Sequence, residues 1–112
     1  MSSTSEIIIN VTLDANKVPE KLEWKATDLS MNPEPVKGMM LSMWDPAAHN
    51  TLRIDLWTKD MSVEEMKLFF HQTLVTMADT FERATGDNLL SEDMRDFCFH
   101  FAKKTNIVKE EK

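Results

Sequence analysis

Residues 51–74 read TLRIDLWTKDMSVEEMKLFFHQTL, and the spacing of apolar positions changes within this stretch. From Thr51 to Trp57 apolar and polar residues alternate, which is typical of a β-strand with two different faces. From Val63 onward apolar residues recur every three or four positions, which indicates an amphipathic helix. The stretch therefore marks the point at which a β-rich half of the chain gives way to a helical half.

Capping signals give the bounds of the first helix. Ser62 and Glu65 form the pattern of a capping box, and Gly86 stands where a left-handed C-terminal cap is expected. The pattern predicts a helix over residues 63–85. Its apolar stripe comprises Val63, Met66, Phe70, Thr73, Leu74, Met77, Phe81 and Ala84.

A second helix is predicted to begin at Ser91, with Glu92 and Asp93 in its first turn, where the helix dipole favours acids. Lys103 and Lys104 suit its last turn. Its apolar stripe is Leu90, Met94, Phe97, Cys98 and Phe101. From both helices we expect Phe70, Leu74, Met77, Phe81, Phe97 and Phe101 in the core.

Alternation also predicts strands in the N-terminal half. Residues 6–13 form one strand, and Leu22, Trp24 and Ala26 mark a second strand paired with it. Two prolines predict an irregular loop over residues 28–35, and a turn at 45–50 predicts a hairpin of strands 38–45 and 51–58. The predicted fold is α+β: a four-stranded, mainly antiparallel sheet followed by two helices packed on one face, in a single domain over residues 1–112. Residues 1–5 and 109–112 are expected to be flexible ends.

Composition excludes several classes of function. The 112 residues carry a formal net charge of −6, which argues against nucleic acid as the main partner. A single cysteine allows no internal disulfide, and two glycines leave no glycine-rich phosphate loop. No stretch is apolar for long enough to predict membrane insertion or a signal peptide. We therefore expect a cytoplasmic protein.

Candidate catalytic residues are few. Cys98 and His100 are two apart on a helix, about 200° around its axis, and so face away from each other. Cys98 falls on the apolar stripe and is interpreted as a small buried hydrophobe. His71 has no nucleophile placed near it, and the three histidines form no metal-ligand pair. We expect no enzyme activity, no cofactor and no metal.

A protein-binding surface is better supported. If Leu52, Ile54 and Leu56 face the helices, the opposite sheet face carries polar and aromatic residues, joined by either Met40 and Trp44 or Met39, Leu41 and Met43, depending on register. Tryptophan anchors interfaces, and methionine adapts to varied partners. The candidate residues for protein interaction are Ile8, Met40, Trp44, Arg53, Asp55, Trp57 and Phe99. Whether the 28–37 loop, a second copy or another protein covers them stays open.

Several strings resemble the GldC family of gliding motility-associated proteins of Bacteroidota. They are LRIDLWTKDM at 52–61, EEMKLFFHQTL at 64–74, MADTFERAT at 77–85, VPEK at 18–21 with Trp24, MMLS at 39–42 and MRDF at 94–97. The resemblance extends from about Glu6 to Ala102. The string LRIDLWTKDM, and FFHQTL within the second string, are too long to match by chance through similar composition alone.

The resemblance implies a process rather than a reaction. GldC-like proteins are linked to gliding over surfaces, which depends on envelope machinery overlapping the type IX secretion system. The implied function is a soluble, non-catalytic accessory protein with protein partners in the gliding apparatus. It could also form a homo-oligomer. The alternative is a chaperone-like or adaptor module that holds exported or envelope proteins through an apolar sheet face.

Overall fold

The fold was obtained as a computed structural model, which describes residues 2–27 and 32–106. The chain divides into two compact units, Met1–Met61 with the strands and Ser62–Lys112 with the helices. The predicted α+β order, strands first and helices after, is confirmed. The single domain over 1–112 and the packing of the helices on one sheet face stay predictions, and the expected flexible tail at 109–112 lies outside the described residues.

Three strands form the first sheet: β1 (Ile7–Leu13), β2 (Pro19–Ala26) and β3 (Glu34–Val36), in the order β1-β2-β3. The predicted pairing of the first two strands is confirmed as antiparallel, with Ile9 opposite Trp24 and Val11 opposite Leu22. In the connection between them, the Oδ1 atom of Asp14 accepts hydrogen bonds from the backbone N–H groups of residues 16 and 18, at 2.8 and 3.0 Å. This turn fixes the register of the two strands.

The short strand β3 corrects the prediction of an irregular loop over 28–35. Residues 28–31 lie outside the described ranges, but Glu34 and Pro35 belong to β3. β3 is antiparallel to β2 and lies at the edge of the sheet, with Pro35 opposite Glu23. An edge strand tolerates proline because the missing N–H can point away from the sheet. Proline therefore did not exclude a strand here.

The predicted hairpin is confirmed, as β4 (Gly38–Asp45) and β5 (Asn50–Trp57). The predicted single four-stranded sheet is wrong, because the described residues form five strands in a three-stranded and a two-stranded sheet. The physical reason is a bend at Lys37, between β3 and β4. The part of the chain before the bend pairs with β2, and the part after it pairs with β5.

Lys59, just after β5, connects the hairpin to the first sheet. Its backbone N–H donates to the carbonyl of Pro19 at 3.0 Å, and its Nζ atom lies 2.9 Å from Oδ2 of Asp14. The hydrogen bond from Lys59 lowers the pKa of the Asp14 carboxyl, and the same bond raises the pKa of the Lys59 ammonium. Nearby, Leu22 and Thr58 are buried, so the covered part of this unit lies at the junction of its two sheets.

The first helix, α1 (Val63–Thr85), has the predicted bounds. Its capping box is formed by Ser62 and Glu65, and Gly86 adopts the left-handed conformation at φ 73°. The second helix, α2 (Asn88–Thr105), begins three residues earlier than predicted. Its N-cap is Asp87, whose side chain accepts from the backbone N–H of Leu90 at 2.9 Å. The carboxylate of Asp87, four residues before Ser91, was as good a start signal as Ser91.

Small residues form the contact between the two helices. The buried positions are Ala78 on α1 and Ser91, Cys98 and Ala102 on α2, which confirms the buried placement of Cys98. Burial raises the pKa of its thiol. Arg95 also connects the helices, because its guanidinium lies within 3 Å of carboxylate oxygens of Asp79, Glu82 and Glu92, and its pKa is raised by these hydrogen bonds.

The predicted core of the helices is wrong in part. Leu74, Phe81 and Phe101 are half-buried, but Phe70, Met77 and Phe97 are exposed. One residue corresponds to about 100° around a helix, so Met77 lies a quarter-turn from the buried Ala78. The apolar stripe of α1 is therefore rotated relative to the face that α2 covers.

Candidate protein-interaction surface

The register of the β4–β5 hairpin decides which residues share a face. Met40 is opposite Asp55, Ser42 is opposite Arg53, and Trp44 is opposite Thr51. Because directly opposite residues project to the same side of a sheet, one face collects five of the seven predicted interaction residues. We call it the tryptophan face; its members are Met40, Ser42, Trp44, Thr51, Arg53, Asp55 and Trp57. The other alternative, with Met39, Leu41 and Met43 on this side, is excluded.

Both indoles on the tryptophan face are more than half exposed, Trp44 at 63% and Trp57 at 54%. Trp57 is opposite Gly38, which contributes no side chain to cover it. Trp44 contacts the ring of His49 edge-on, with the centroids 6.4 Å apart. His49 ends the loop between the strands at a positive φ of 55°. Two large aromatic groups are therefore held on a strand pair and remain available to a partner.

A hydrogen-bonded arginine lies between the two tryptophans along the face. The guanidinium of Arg53 donates to both carboxylate oxygens of Asp55, at 2.7 and 3.3 Å, and to the hydroxyl of Ser42 at 2.6 Å. These three bonds hold the planar group in one orientation. The charged centre of the face is thus paired within the hairpin, which lowers the cost of covering it with another protein. Sequence reasoning missed Ser42, because its role follows only from the register.

The other two predicted residues lie elsewhere. Ile8 is half-buried in β1 and opposite Lys25, so it belongs to the three-stranded sheet and to its more polar face. Phe99 is on α2, in the other unit, and is exposed with the Nζ atom of Lys103 5.0 Å from its ring centroid. The hairpin therefore brings together five predicted residues: Met40, Trp44, Arg53, Asp55 and Trp57. Ile8 belongs to the other sheet and Phe99 to a helix, so neither is part of the tryptophan face.

The opposite face of the hairpin is apolar except at its loop end, where Asp45 is opposite Asn50. We call it the aliphatic face; its members are Met39, Leu41, Met43, Leu52, Ile54 and Leu56. Met43, Leu52 and Ile54 are each nearly half exposed. The sequence assigned this face to the core, because leucine and isoleucine usually mark the covered side of a strand.

The helical unit has an apolar surface of its own. A groove of about 410 Å³ runs along α1 and α2 beside their contact, lined mainly by Leu74, Phe81, Leu90, Met94 and Phe97. Its polar lining is small, and its one carboxylate belongs to Asp93. The apolar stripes of the two helices, which the sequence assigned to the core, form this groove.

Both histidines of the helical unit lie near phenylalanine rings. His71 stacks on Phe101 with centroids 6.3 Å apart, and His100 lies near Phe97. Among residues 2–27 and 32–106, no group of three or more histidine, cysteine or acidic side chains is arranged to hold a metal ion. The same ranges contain no helix with the length and apolarity needed to cross a membrane.

Comparison with known proteins gives one family. Residues 19–107 match the family model for gliding motility-associated protein GldC-like. No curated protein and no solved structure matches the chain significantly. The matched range begins at β2 and includes the hairpin and both helices, so it contains the whole tryptophan face. Because it extends over far more than half of the sequence, the chain belongs to the GldC-like family of gliding motility-associated proteins.

Proposed function

We propose that this protein is a soluble, cytoplasmic and non-catalytic accessory component of the bacterial gliding motility machinery, and that it acts by binding another protein through the tryptophan face. Family membership suggests involvement in gliding motility. The observation that supports binding is the pair of indoles, Trp44 and Trp57, both more than half exposed on one face around a paired Arg53. Interface hot spots are enriched in these residue types.

The absence of catalysis in this proposal is supported by the environment of the candidate nucleophile. Cys98 is buried between the helices, and its pKa is raised by that burial, so the reactive thiolate is disfavoured. The ring of His71 is stacked on Phe101. Both groups belong to the helical unit, whereas the tryptophan face belongs to the unit with the strands.

Complementation of gliding tests the proposal. In a gliding bacterium that lacks its own copy, the unaltered chain should restore spreading, and the double variant Trp44→Ala/Trp57→Ala should not. Truncating a central interface tryptophan costs binding at least about 2 kcal/mol, roughly a thirtyfold loss of affinity. The control is Leu89→Ala, which removes an apolar side chain from α2 that is even more exposed, at 82%. Full spreading by the double variant, at normal protein level, would contradict a role for this face.

A second candidate function, a chaperone-like or adaptor module, is favoured by the methionines of β4. Met39 and Met43 lie on the aliphatic face with exposed Leu52 and Ile54, and flexible thioethers suit varied apolar clients. The number of partners separates the two functions. An accessory component should retain one or a few gliding proteins by affinity capture and mass spectrometry, and a chaperone should retain many exported proteins and suppress their aggregation. Capture that Met43→Glu abolishes but Trp57→Ala leaves intact would favour the chaperone.

A further inference from the structure

The β4–β5 hairpin is an incomplete sheet. In the part of the chain that the structure describes, β4 is the one strand hydrogen-bonded to β5, and the two form a separate two-stranded sheet. A two-stranded hairpin is at best marginally stable in water and becomes stable when further strands or a packed layer are added. Its long edges are also templates for another strand.

The direction of the free backbone groups on β5 follows from one hydrogen bond. The N–H of Thr58 donates to the carbonyl of Lys37 at 2.8 Å. In an antiparallel pair alternate residues bond to the partner strand, so the even-numbered residues of β5 point their backbone groups toward β4. The odd-numbered residues, Thr51 to Trp57, therefore point theirs outward, and this free edge ends before Lys59, whose N–H bonds to Pro19 of β2. A strand added at this edge must bond to those residues.

We propose that the outer edge of β5 pairs antiparallel with β5 of a second copy, with a twofold axis at Ile54. In this register Arg53 is opposite Asp55 of the other copy and Asp55 is opposite its Arg53. The four charges then alternate in sign around a square, and opposite charges directly across a strand pair are stabilising. The two hairpins become one four-stranded sheet, β4-β5-β5-β4.

The charges select this register among the neighbouring ones. Shifting the axis to residue 53 places two arginines opposite each other, and shifting it to residue 55 places two aspartates opposite each other. Both arrangements repel. Axes at these three residues all keep outward-pointing backbone groups opposite one another, so charge decides between them. The centred register is the one in which every charge meets its opposite.

The side chains on both faces fit the same register. On the aliphatic face, Leu52 is opposite Leu56 of the second copy and Ile54 is opposite its own equivalent. On the tryptophan face, Thr51 already has Trp44 on one side within the hairpin, and it receives Trp57 of the second copy on the other. A small residue therefore stands between two indoles. Pairing extends each face across the dimer without placing an apolar group opposite a charge.

The other open strand edges have no charge pattern that would select one pairing register. β1 contains no charged residue, and β4 carries a single one, Asp45, at its end. Nothing in either strand selects one register over another. β3 is three residues long and contains a proline, features that protect an edge from pairing. Among the edges of the described strands, β5 is the one with a self-complementary charge pattern.

Charge reversal tests the pairing directly in the full chain, by sedimentation velocity and light scattering over a range of concentrations. Arg53→Asp alone should place carboxylates opposite carboxylates, and Asp55→Arg alone should place guanidinium groups opposite each other. Each single variant should raise the dimer dissociation constant by at least about tenfold. The double variant Arg53→Asp/Asp55→Arg restores opposite charges and should dimerise like the unaltered chain.

Mixing the two single variants is the most discriminating measurement. Each is repelled by its own copies, but an equimolar mixture brings the acidic variant opposite the basic one, so a heterodimer should form although neither variant dimerises alone. This outcome also shows that both variants are folded. An unaltered chain that stays monomeric at about 100 µM would overturn the inference, as would a dimer that both single reversals leave intact, because that dimer would use another edge or face.

A disulfide reports the register. In a Cys98→Ala background, Ile54→Cys should form an intermolecular disulfide on mild oxidation, because position 54 faces itself across a close, non-hydrogen-bonded pair. Leu52→Cys is the matched control, since two copies of position 52 would be four residues apart along the strands, roughly 14 Å. Equal cross-linking of the two variants would refute this register.

The inference is independent of the proposed function, because it concerns the backbone edge of β5 rather than the indoles. A monomeric chain that still requires Trp44 and Trp57 for gliding would overturn the dimer and leave the proposed function standing. If the dimer shows the stated charge dependence but cells with the tryptophan variants glide normally, the proposed function is overturned and the dimer stands.

Discussion

The three-stranded sheet and the β4–β5 hairpin belong to one unit and have a similar share of apolar residues, but they differ in what is covered. In the first sheet, Leu22 is 1% exposed, with Val11 of β1 and Val36 of β3 opposite it on either side. In the hairpin no residue of either strand is buried, and both faces carry large apolar side chains. A central strand covers its own side chains with two neighbours, and a hairpin has no central strand. The comparison teaches that neighbouring strands on both sides, rather than apolar content, decide which side chains of this unit are covered.

The largest effect expected from this comparison concerns two leucines. Leu22→Ala should lower the free energy of unfolding by about 2–5 kcal/mol, because it leaves a cavity at a fully buried position. Leu52→Ala should lower it by less than about 1 kcal/mol, because Leu52 is 48% exposed. Urea denaturation at low protein concentration measures both. Equal losses would show that the aliphatic face of the hairpin is covered within the monomer.

Two tryptophans give the next largest effect. Trp24 is half-buried in the first sheet, opposite Ile9 and Glu34, and Trp57 is exposed in the hairpin. Trp24→Ala should destabilise the monomer by roughly 2 kcal/mol or more. Trp57→Ala should change monomer stability by less than about 1 kcal/mol while weakening partner capture or self-association. Thermal unfolding of dilute samples separates them, and a strongly destabilised Trp57→Ala monomer would make this indole part of a core.

The smallest effect concerns the attachment between the two sheets. The bond from Lys59 holds the pKa of Asp14 below its ordinary value. A lowered folded-state pKa contributes stability that is present above the unfolded pKa, about pH 4, and is lost as the pH falls through the folded value. Lys59→Met should therefore raise the pKa of Asp14 toward its ordinary value in an NMR titration and flatten the acid side of the stability profile.

Lys21→Met is the control for this titration. Lys21 pairs with Glu23 at 3.7 Å rather than with Asp14, so its loss should leave the pKa of Asp14 unchanged. If both variants shifted the pKa equally, the cause would be the general loss of positive charge rather than the link from Lys59. The attachment at this corner of the hairpin would then be weaker than the geometry indicates.

Local signals were sufficient for several elements. The capping box at Ser62 and the glycine at position 86 gave α1 its bounds, since both act within one helical turn. Alternation gave the first strand pair and β5, and the turn at 45–50 identified β4 as the partner of β5. The same alternation predicted that Arg53, Asp55 and Trp57 share a face, and it left the side of Met40 and Trp44 open. The sequence thus predicted which residues of β5 lie on the tryptophan face, but not which residues of β4 do, because that depends on the register.

The remaining features were decided by tertiary structure. Alternation states that a strand has two faces, but not how many neighbours it has, so a bend at Lys37 could divide the expected sheet in two. The loop of residues 46–49 fixed the register that brought Met40 and Trp44 beside Arg53. Helical periodicity gave the apolar stripe of α1, but the contact with α2 is centred on Ala78 beside that stripe, because small residues let two helices approach closely. Which apolar side chains are covered depends on contacts between distant residues, and no local pattern carries that information.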